Sequence, residues 1–478
     1  MTGRQKLQPM EKHRLLFACC AAFWLSACAV PPPLPATVSG AAPPGWYAPL
    51  PHNGRLSDLS QWWQSLGAPL LVQLVEAAQN ASPSITSARS RIEQSRAARV
   101  QAGAALLPTL DGTVNAARGV TPSSPPYTTS FQASLDASWE LDVFGANRLA
   151  SDAARERLEG AKAQWHDARV AVAAEIAKLY FDQRACEKQW AIARSDASSR
   201  AQTSSLTAQS TRAGFSAPAT AALARASAAE ARSRATQRRG LCDLDIKAMV
   251  ALTAVPEPEL RQKLAAAPDD LAPQASIAIT SLPAQVLAQR PDLFSAEREV
   301  AAASADAGSA QAQRYPRLSL SGAIGRESYR TAKGNADFTS WTLGPVTLSV
   351  PLFDGGRSAA GVLAAQARYD EAVLLYRAKA RQAVREVEEA LVNLENTAAR
   401  SDDAAQAYEG YQASLTATQA RFKSGLASLV ELEESRRGAL ASADALVVLQ
   451  RERIQAWVGL YRAAGGGWTS AQVTPEAP

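Results

Sequence analysis

The chain has 478 residues, 47% of them apolar and 20% charged, a mixture that suits a folded protein and excludes disorder over most of the length. Its formal charge is +5, and the first 27 residues hold Arg4, Lys6, Lys12 and Arg14 against Glu11, so 5 − 3 leaves about +2 beyond them, which is no nucleic-acid binder's balance. Only His52 and His166 follow that stretch, and neither stands at a ligand spacing from a cysteine or a second histidine, so no metal and no other cofactor is expected.

At the N-terminus, basic Lys12 and Arg14 precede an apolar run from Leu15 to Leu25, the order of an export signal. Met10 is an alternative start, because a complete signal follows it as well. The run ends Leu25-Ser26-Ala27-Cys28, which resembles the lipobox of bacterial lipoproteins. Residues 1–27 are therefore expected as a signal peptide and Cys28 as the lipid-bearing first residue of the mature chain. Ala29 and Val30 follow in place of a retaining aspartate, so the outer membrane is the expected destination, with residues 28–80 as an N-terminal periplasmic segment. No later segment supplies the roughly 18 consecutive apolar residues of a spanning helix. Further membrane contact must come from lipid chains or from a β-barrel.

Beyond about residue 80 one plan runs twice, over 81–255 and 291–464, at an offset near 209 residues. Ser87-Ala88 returns as Ser295-Ala296, Leu107-Pro108 as Tyr315-Pro316, and Leu141-Asp142-Val143-Phe144 with Arg148 as Val350-Pro351-Leu352-Phe353 with Arg357. Each half reads as helix, strand, turn, strand and a long helical hairpin. The first strands are expected at about 109–118 and 129–141. In the latter, Phe131, Ala133, Leu135, Ala137, Trp139 and Leu141 alternate with Ser130, Gln132, Ser134, Asp136 and Ser138, the period of a two-faced strand. The second pair is expected at about 317–326 and 338–352, joined by a polar loop with Lys333, Gly334, Asn335 and Asp337, and with a bulge or edge at Gly344-Pro345.

The hairpins are expected over 146–252 and 356–464. No proline interrupts Ala146 to Arg212, and Leu158, Ala161, Trp165, Ala168, Val172, Ile176 and Leu179 recur at steps of three and four, as in a coiled-coil seam. After Gly356 the same steps pass through Val373, Tyr376, Ala380, Val384, Val387, Leu391, Leu394 and Ala398. A run of about 65 residues makes a helix on the order of 100 Å. Prolines and short apolar pieces mark 256–290 as a connector, a belt around the helices, and 465–478 as a tail.

Four strands cannot close a barrel, and an open sheet edge is forbidden in lipid, so several copies must assemble. Spacing alone does not count them. With the lipobox, the repeat and the hairpins in view, the chain resembles the TolC-like outer-membrane factor superfamily, specifically its lipoprotein branch of OprM and NodT type. The resemblance is carried by Trp62-Trp63 with Leu66-Gly67, Pro69-Leu70 and Leu74; by Trp139-Glu140-Leu141-Asp142-Val143-Phe144-Gly145; by Arg290-Pro291-Asp292-Leu293; and by Pro351-Leu352-Phe353-Asp354-Gly355-Gly356-Arg357. It implies an α+β membrane protein in which a homotrimer forms a twelve-stranded β-barrel continued by a barrel of long helices. It further implies a passive conduit, not an enzyme, exporting small molecules such as drugs. Its partners would be outer-membrane lipid, a periplasmic adaptor and an inner-membrane pump, often the proton-driven resistance-nodulation-division type. Type I secretion and metal efflux are alternatives within that class, and a periplasmic coiled-coil scaffold lipoprotein is the alternative outside it. Such a scaffold would not need the strands.

The hairpin turns fall at Gly214-Phe215 and Gly425-Leu426, where glycine suits a helix end. By resemblance these tips also meet the adaptor. Glu431, Glu433 and Glu434 follow the second turn; Glu433 stands four residues before Arg437, a pairing distance, while Glu431 and Glu434 share a face. Acidic residues at a helix start have a structural reason of their own. The resemblance places Glu431 and Glu434 at a pore constriction, to which the first hairpin, with Thr220 and Leu223, would add nothing. Cys186 and Cys242 lie 28 residues to either side of Gly214, at equal height in an antiparallel hairpin. Equal height allows a disulfide without requiring one, so two free thiols remain open. Trp139 and Trp341 suit the aromatic belt of a barrel, or plain packing.

Overall fold

A computed structural model describes residues 34–37, 46–48, 62–120, 128–268, 286–331 and 334–469. The signal segment, Cys28, Lys333 and much of the connector lie outside the described residues. By contact clustering the chain forms two units, and the helices α3, α4, α7 and α8 defined below contribute a part to each.

In chain order the elements are α1 (Trp62–Ser65), α2 (Pro69–Ala81), α3 (Pro83–Ala104), β1 (Thr109–Gly119), β2 (Thr128–Leu141), α4 (Ala146–Arg212), α5 (Pro218–Thr253), α6 (Glu257–Ala266), α7 (Pro291–Ala312), β3 (Arg317–Thr331), β4 (Gly334–Ser349), α8 (Arg357–Ala399), α9 (Ser401–Lys423) and α10 (Leu429–Ala463). In the hairpin expected over 356–464 the first arm is interrupted only at Arg400, whose N–H still bonds the Asn396 carbonyl.

One unit holds the antiparallel sheet β1-β2-β3-β4. The second hairpin is longer at its turn than the alternation announced: β3 runs to Thr331 and β4 starts at Gly334, because Glu327 to Arg330 pair in register with Asn335 to Phe338 despite their polarity. Polar residues at a sheet rim read as loop while their backbone still completes the ladder. β4 also stops at Ser349, two residues short of Pro351, which has no N–H to donate. The register shifts between Leu320 and Gly322, opposite the stretch from Leu343 to Val346. Outward positions in β4 are therefore odd up to Leu343 and even from Val346, which explains the blurred alternation around Gly344-Pro345.

At each exit from the sheet an aspartate caps the helix that follows. Asp142 accepts from the Asn147 and Arg148 N–H groups at 3.1 and 2.7 Å, and Asp354 accepts from Gly356 and Ser358, both at 2.9 Å. The repeated motif thus has a repeated local job. Its aromatic residue does not: Phe144 stacks on Tyr315 with centroids 5.1 Å apart, whereas Phe353 is 93% exposed beside an equally bare Leu352. Helix packing in this unit is alanine-rich, with Ala153 against Ala302 and Ala305, and Val300 and Ala303 against Tyr369 and Ala372.

The other unit has the main core. Trp62 and Trp63 pack on Tyr461 with centroids 5.1 and 4.5 Å away, and Leu71, Ile176, Met249, Leu391 and Ile454 are enclosed in the same cluster. Cys186 of α4 and Cys242 of α5 form a disulfide with Cα atoms 5.5 Å apart. Gly438 lets Tyr411 of α9 lie against α10: a Cβ there would stand 2.8 Å from the ring.

Candidate functional site

Both hairpins turn by the same device. The Phe215 N–H bonds the Ser210 carbonyl at 2.9 Å and Gly214 bonds Thr211 at 3.1 Å; Leu426 bonds Arg421 at 2.8 Å and Gly425 bonds Phe422 at 3.0 Å. These are paired six-to-one and five-to-two closures, with Gly214 at φ +83° and Gly425 at φ +76°, a region closed to most side chains. The residue after each glycine is thrown outward, leaving Phe215 86% and Leu426 71% exposed. The next helices start differently. Pro218 occupies the first turn of α5 without a side-chain cap, while Ser428 caps α10 by accepting from the Glu431 N–H at 3.1 Å. The spacing Ser428 to Glu431 is that of a capping box, a start signal written in the sequence itself.

Of the three glutamates after the second turn, two face outward and one inward. Glu431 meets the Arg421 guanidinium at 2.6 Å, and Glu434 lies 3.6 Å from Arg437. Both pairs are exposed. Glu433 does not take Arg437 as its spacing had indicated; helical phase sets it on the buried stripe with Leu429, Leu432 and Arg436, and Glu434 takes Arg437 instead.

Inside, Glu433 joins three helices. Its Oε1 accepts from Arg436 Nη1 at 3.0 Å, and its Oε2 accepts from Ser227 Oγ at 2.7 Å and from Arg200 Nη1. Arg200 also bonds Asp196 through Nε, with both oxygens at 2.9 Å, and Arg436 Nη2 reaches Ser199 Oγ and Thr203 Oγ1, both at 2.8 Å. Side chains of α4, α5 and α10 are thus locked a few turns from the tips. Arg200 and Arg436 each have one partner at helical spacing in their own helix, Asp196 and Glu433, but their meeting with each other's helix and with Ser227 carried no local signal.

The sheet is the second candidate surface. One face carries Leu110, Val114, Phe131, Leu135, Leu318, Leu320, Ile324, Trp341, Leu343, Val346 and Leu348, most of them exposed; the other carries Asp111, Thr113, Ser134, Asp136, Glu140 and Glu327. Among the described residues β1 and β4 each have one edge without a partner strand. Trp139, on the apolar face, donates Nε1–H to the Leu106 carbonyl at 3.1 Å, so packing engages it, whereas Trp341 is 75% exposed. Among the described residues no helix is long and apolar enough to cross a membrane, and no cluster of three or more histidine, cysteine, aspartate or glutamate residues could hold a metal ion.

A family model described as outer membrane efflux protein matches residues 74–254 and 282–466. The chain belongs to the outer membrane efflux protein family. The two matched segments contain the two hairpins and all four strands. This efflux protein is 30% identical to the pyoverdine export outer membrane protein OpmQ of Pseudomonas aeruginosa, over 96% of this chain and 98% of that one. A membrane protein from Pseudomonas aeruginosa has the same fold, with a TM-score of 0.82 and 25% identity over 92% of this chain and all of that one. The outer-membrane channel OprN aligns with a TM-score of 0.75 and 26% identity, covering 91% and 96%. The efflux protein is an outer-membrane transport protein of a channel family rather than an enzyme family.

Proposed function

We infer that three copies of this efflux protein assemble into one channel, their sheets closing a twelve-stranded barrel in the outer membrane and their helical hairpins forming a periplasmic duct. The observation that carries this reading is a sheet with two unpaired edges and one exposed apolar face. The edges are intolerable in lipid unless neighbouring copies pair them, and the apolar face is costly in water unless lipid covers it. Cys28, with its acyl chains, would anchor the mature N-terminus in the same membrane.

The exposed tips at Gly214-Phe215 and Gly425-Leu426 are the docking points for a periplasmic adaptor, which connects the duct to an inner-membrane pump that supplies the energy. Glu431 and Glu434, repeated three times, ring the periplasmic aperture. Because Arg421 and Arg437 accompany them, the ring acts less as a bare negative field than as a set of ion pairs that hold the aperture narrow. Small molecules pass; OpmQ, by its name, exports pyoverdine, and a compound of comparable size is a reasonable cargo here. The test is extraction from outer membranes in mild detergent. Trimers that dissociate only on heating, and that conduct in planar bilayers, are expected; a soluble non-conducting monomer would end the proposal.

A further inference from the structure

Near the turn end the bases of the sheet gather on one face. Asp111, Asp136, Glu140 and Glu327 stand on the polar face, with Arg317 at the far end of β3, while Arg118, Arg326 and Arg330 stand on the apolar face near the turn end, with Asp337 beside them. Asp337 pairs with Arg326 at 3.5 Å and also feels the charge of Arg330, so one acid stands against the basic cluster on that face.

Arg118 and Arg330 occupy a single row. Both are in register with Thr129, one on either side of it, and Asn335 continues the row on β4. Strands lie about 4.8 Å apart, so the two arginine Cα atoms flank the threonine at a mutual distance of about 10 Å. Long guanidinium side chains on the same face can both reach a group held above that hydroxyl. Two forked cations around an O–H donor match a phosphoryl group, whose oxygens accept from all three.

The height of the row selects the source of that phosphoryl group. From Leu141 to Phe131 the apolar face extends ten residues along β2. At about 3.4 Å per residue that is about 34 Å of strand, and about 26 Å of height at a strand tilt near 40°. Lipid-facing bands in membrane barrels are about 25 Å tall. Thr129 comes next on the same face, where the hydrocarbon ends and headgroups begin.

We propose that Arg118, Thr129 and Arg330 form a binding site for the phosphoryl group of an anionic membrane lipid, on the lipid-facing side of the sheet at its turn end. The site rests on the barrel reading above. It gives the barrel a fixed depth in the membrane by tying the turn end to the headgroups of one leaflet.

Native mass spectrometry of the assembled protein, taken from micelles doped with lipid A or phosphatidylglycerol, tests it. Retained phospholipid is expected on the wild type and reduced at least about tenfold by Arg118→Gln with Arg330→Gln, since each cation near an anionic surface contributes severalfold. Thr129→Ala should lower it partially and Arg326→Gln little. Millimolar inorganic phosphate should not displace the lipid; displacement would mean a free-anion site and overturn the proposal. Equal retention by the double variant would overturn it too. The same spectra report subunit number, so a trimer that binds no lipid sinks this site alone, whereas a monomer sinks it together with the barrel.

Discussion

Two ionisable side chains pull acid stability in opposite directions. Burial, reinforced by the Arg169 charge, holds the His166 imidazole down to about 4. The fold therefore keeps it neutral while the unfolded chain takes up a proton near pH 6.5, so its contribution is present above that pH and is lost as pH falls toward 4. Burial, with Asp182 nearby, lifts the Asp245 carboxyl to about 6. Its contribution is present below pH 3.8 and is lost as pH rises through 6. Melting temperatures in detergent between pH 4 and 7 should separate the two: His166→Gln should lessen the loss on acidification, and Asp245→Asn should raise the neutral-pH value. Glu433 is the larger lever. Its replacement by alanine leaves Arg200 and Arg436 buried with less compensation, a loss of about 3–5 kcal/mol for breaking a buried pair, while glutamine, which keeps an acceptor, should lose less. Equal denaturant midpoints for Glu433→Ala and wild type would contradict this. Helical phase with Leu429 and Leu432 already turns Glu433 inward, but its partners were not legible in the sequence, because spacing identifies neighbours along one helix and Arg200 and Ser227 belong to two others.

Among elements, the long helices were legible because one property governs them: a proline-free, alanine-rich run with apolar steps of three and four admits no other structure at that length. The β2 strand was legible from strict alternation. What escaped was the rim, where β3 and β4 continue through charged residues whose pairing is a backbone matter. The disulfide between α4 and α5 could only be allowed by spacing, since rotation about each helix decides whether two thiols at one height face each other. Its 56-residue separation makes it a strong constraint on the unfolded chain. Cys186→Ser with Cys242→Ser should lower stability by about 2–4 kcal/mol in denaturant titrations while helical content is retained; an unchanged midpoint would show that the link adds nothing to the hairpin.

For the molecule as a whole, family and channel function were carried by motifs distributed over both halves, and subunit number was not, because an open four-stranded sheet states only that something must complete it. Glu431→Ala with Glu434→Ala should widen the aperture, seen as higher conductance and weaker cation block in planar bilayers; identical recordings would remove these residues from the constriction. The internal duplication makes a further demand. Phe144 of the first repeat rests on Tyr315, just ahead of the first strand of the second, and by the same repeat relation the bare Phe353 should rest on Leu107 of the next copy. Cysteines at 353 and 107 should then give oxidised ladders of dimer and trimer. A duplicated chain of this kind has one seam sewn within each subunit and an equivalent seam left for a neighbour to sew. Damage at the inner seam, as in Phe144→Ala, would spoil every subunit singly, whereas Phe353→Ala would yield sound subunits that fail only in company, and mixing those with wild type would poison rings in proportion to their dose.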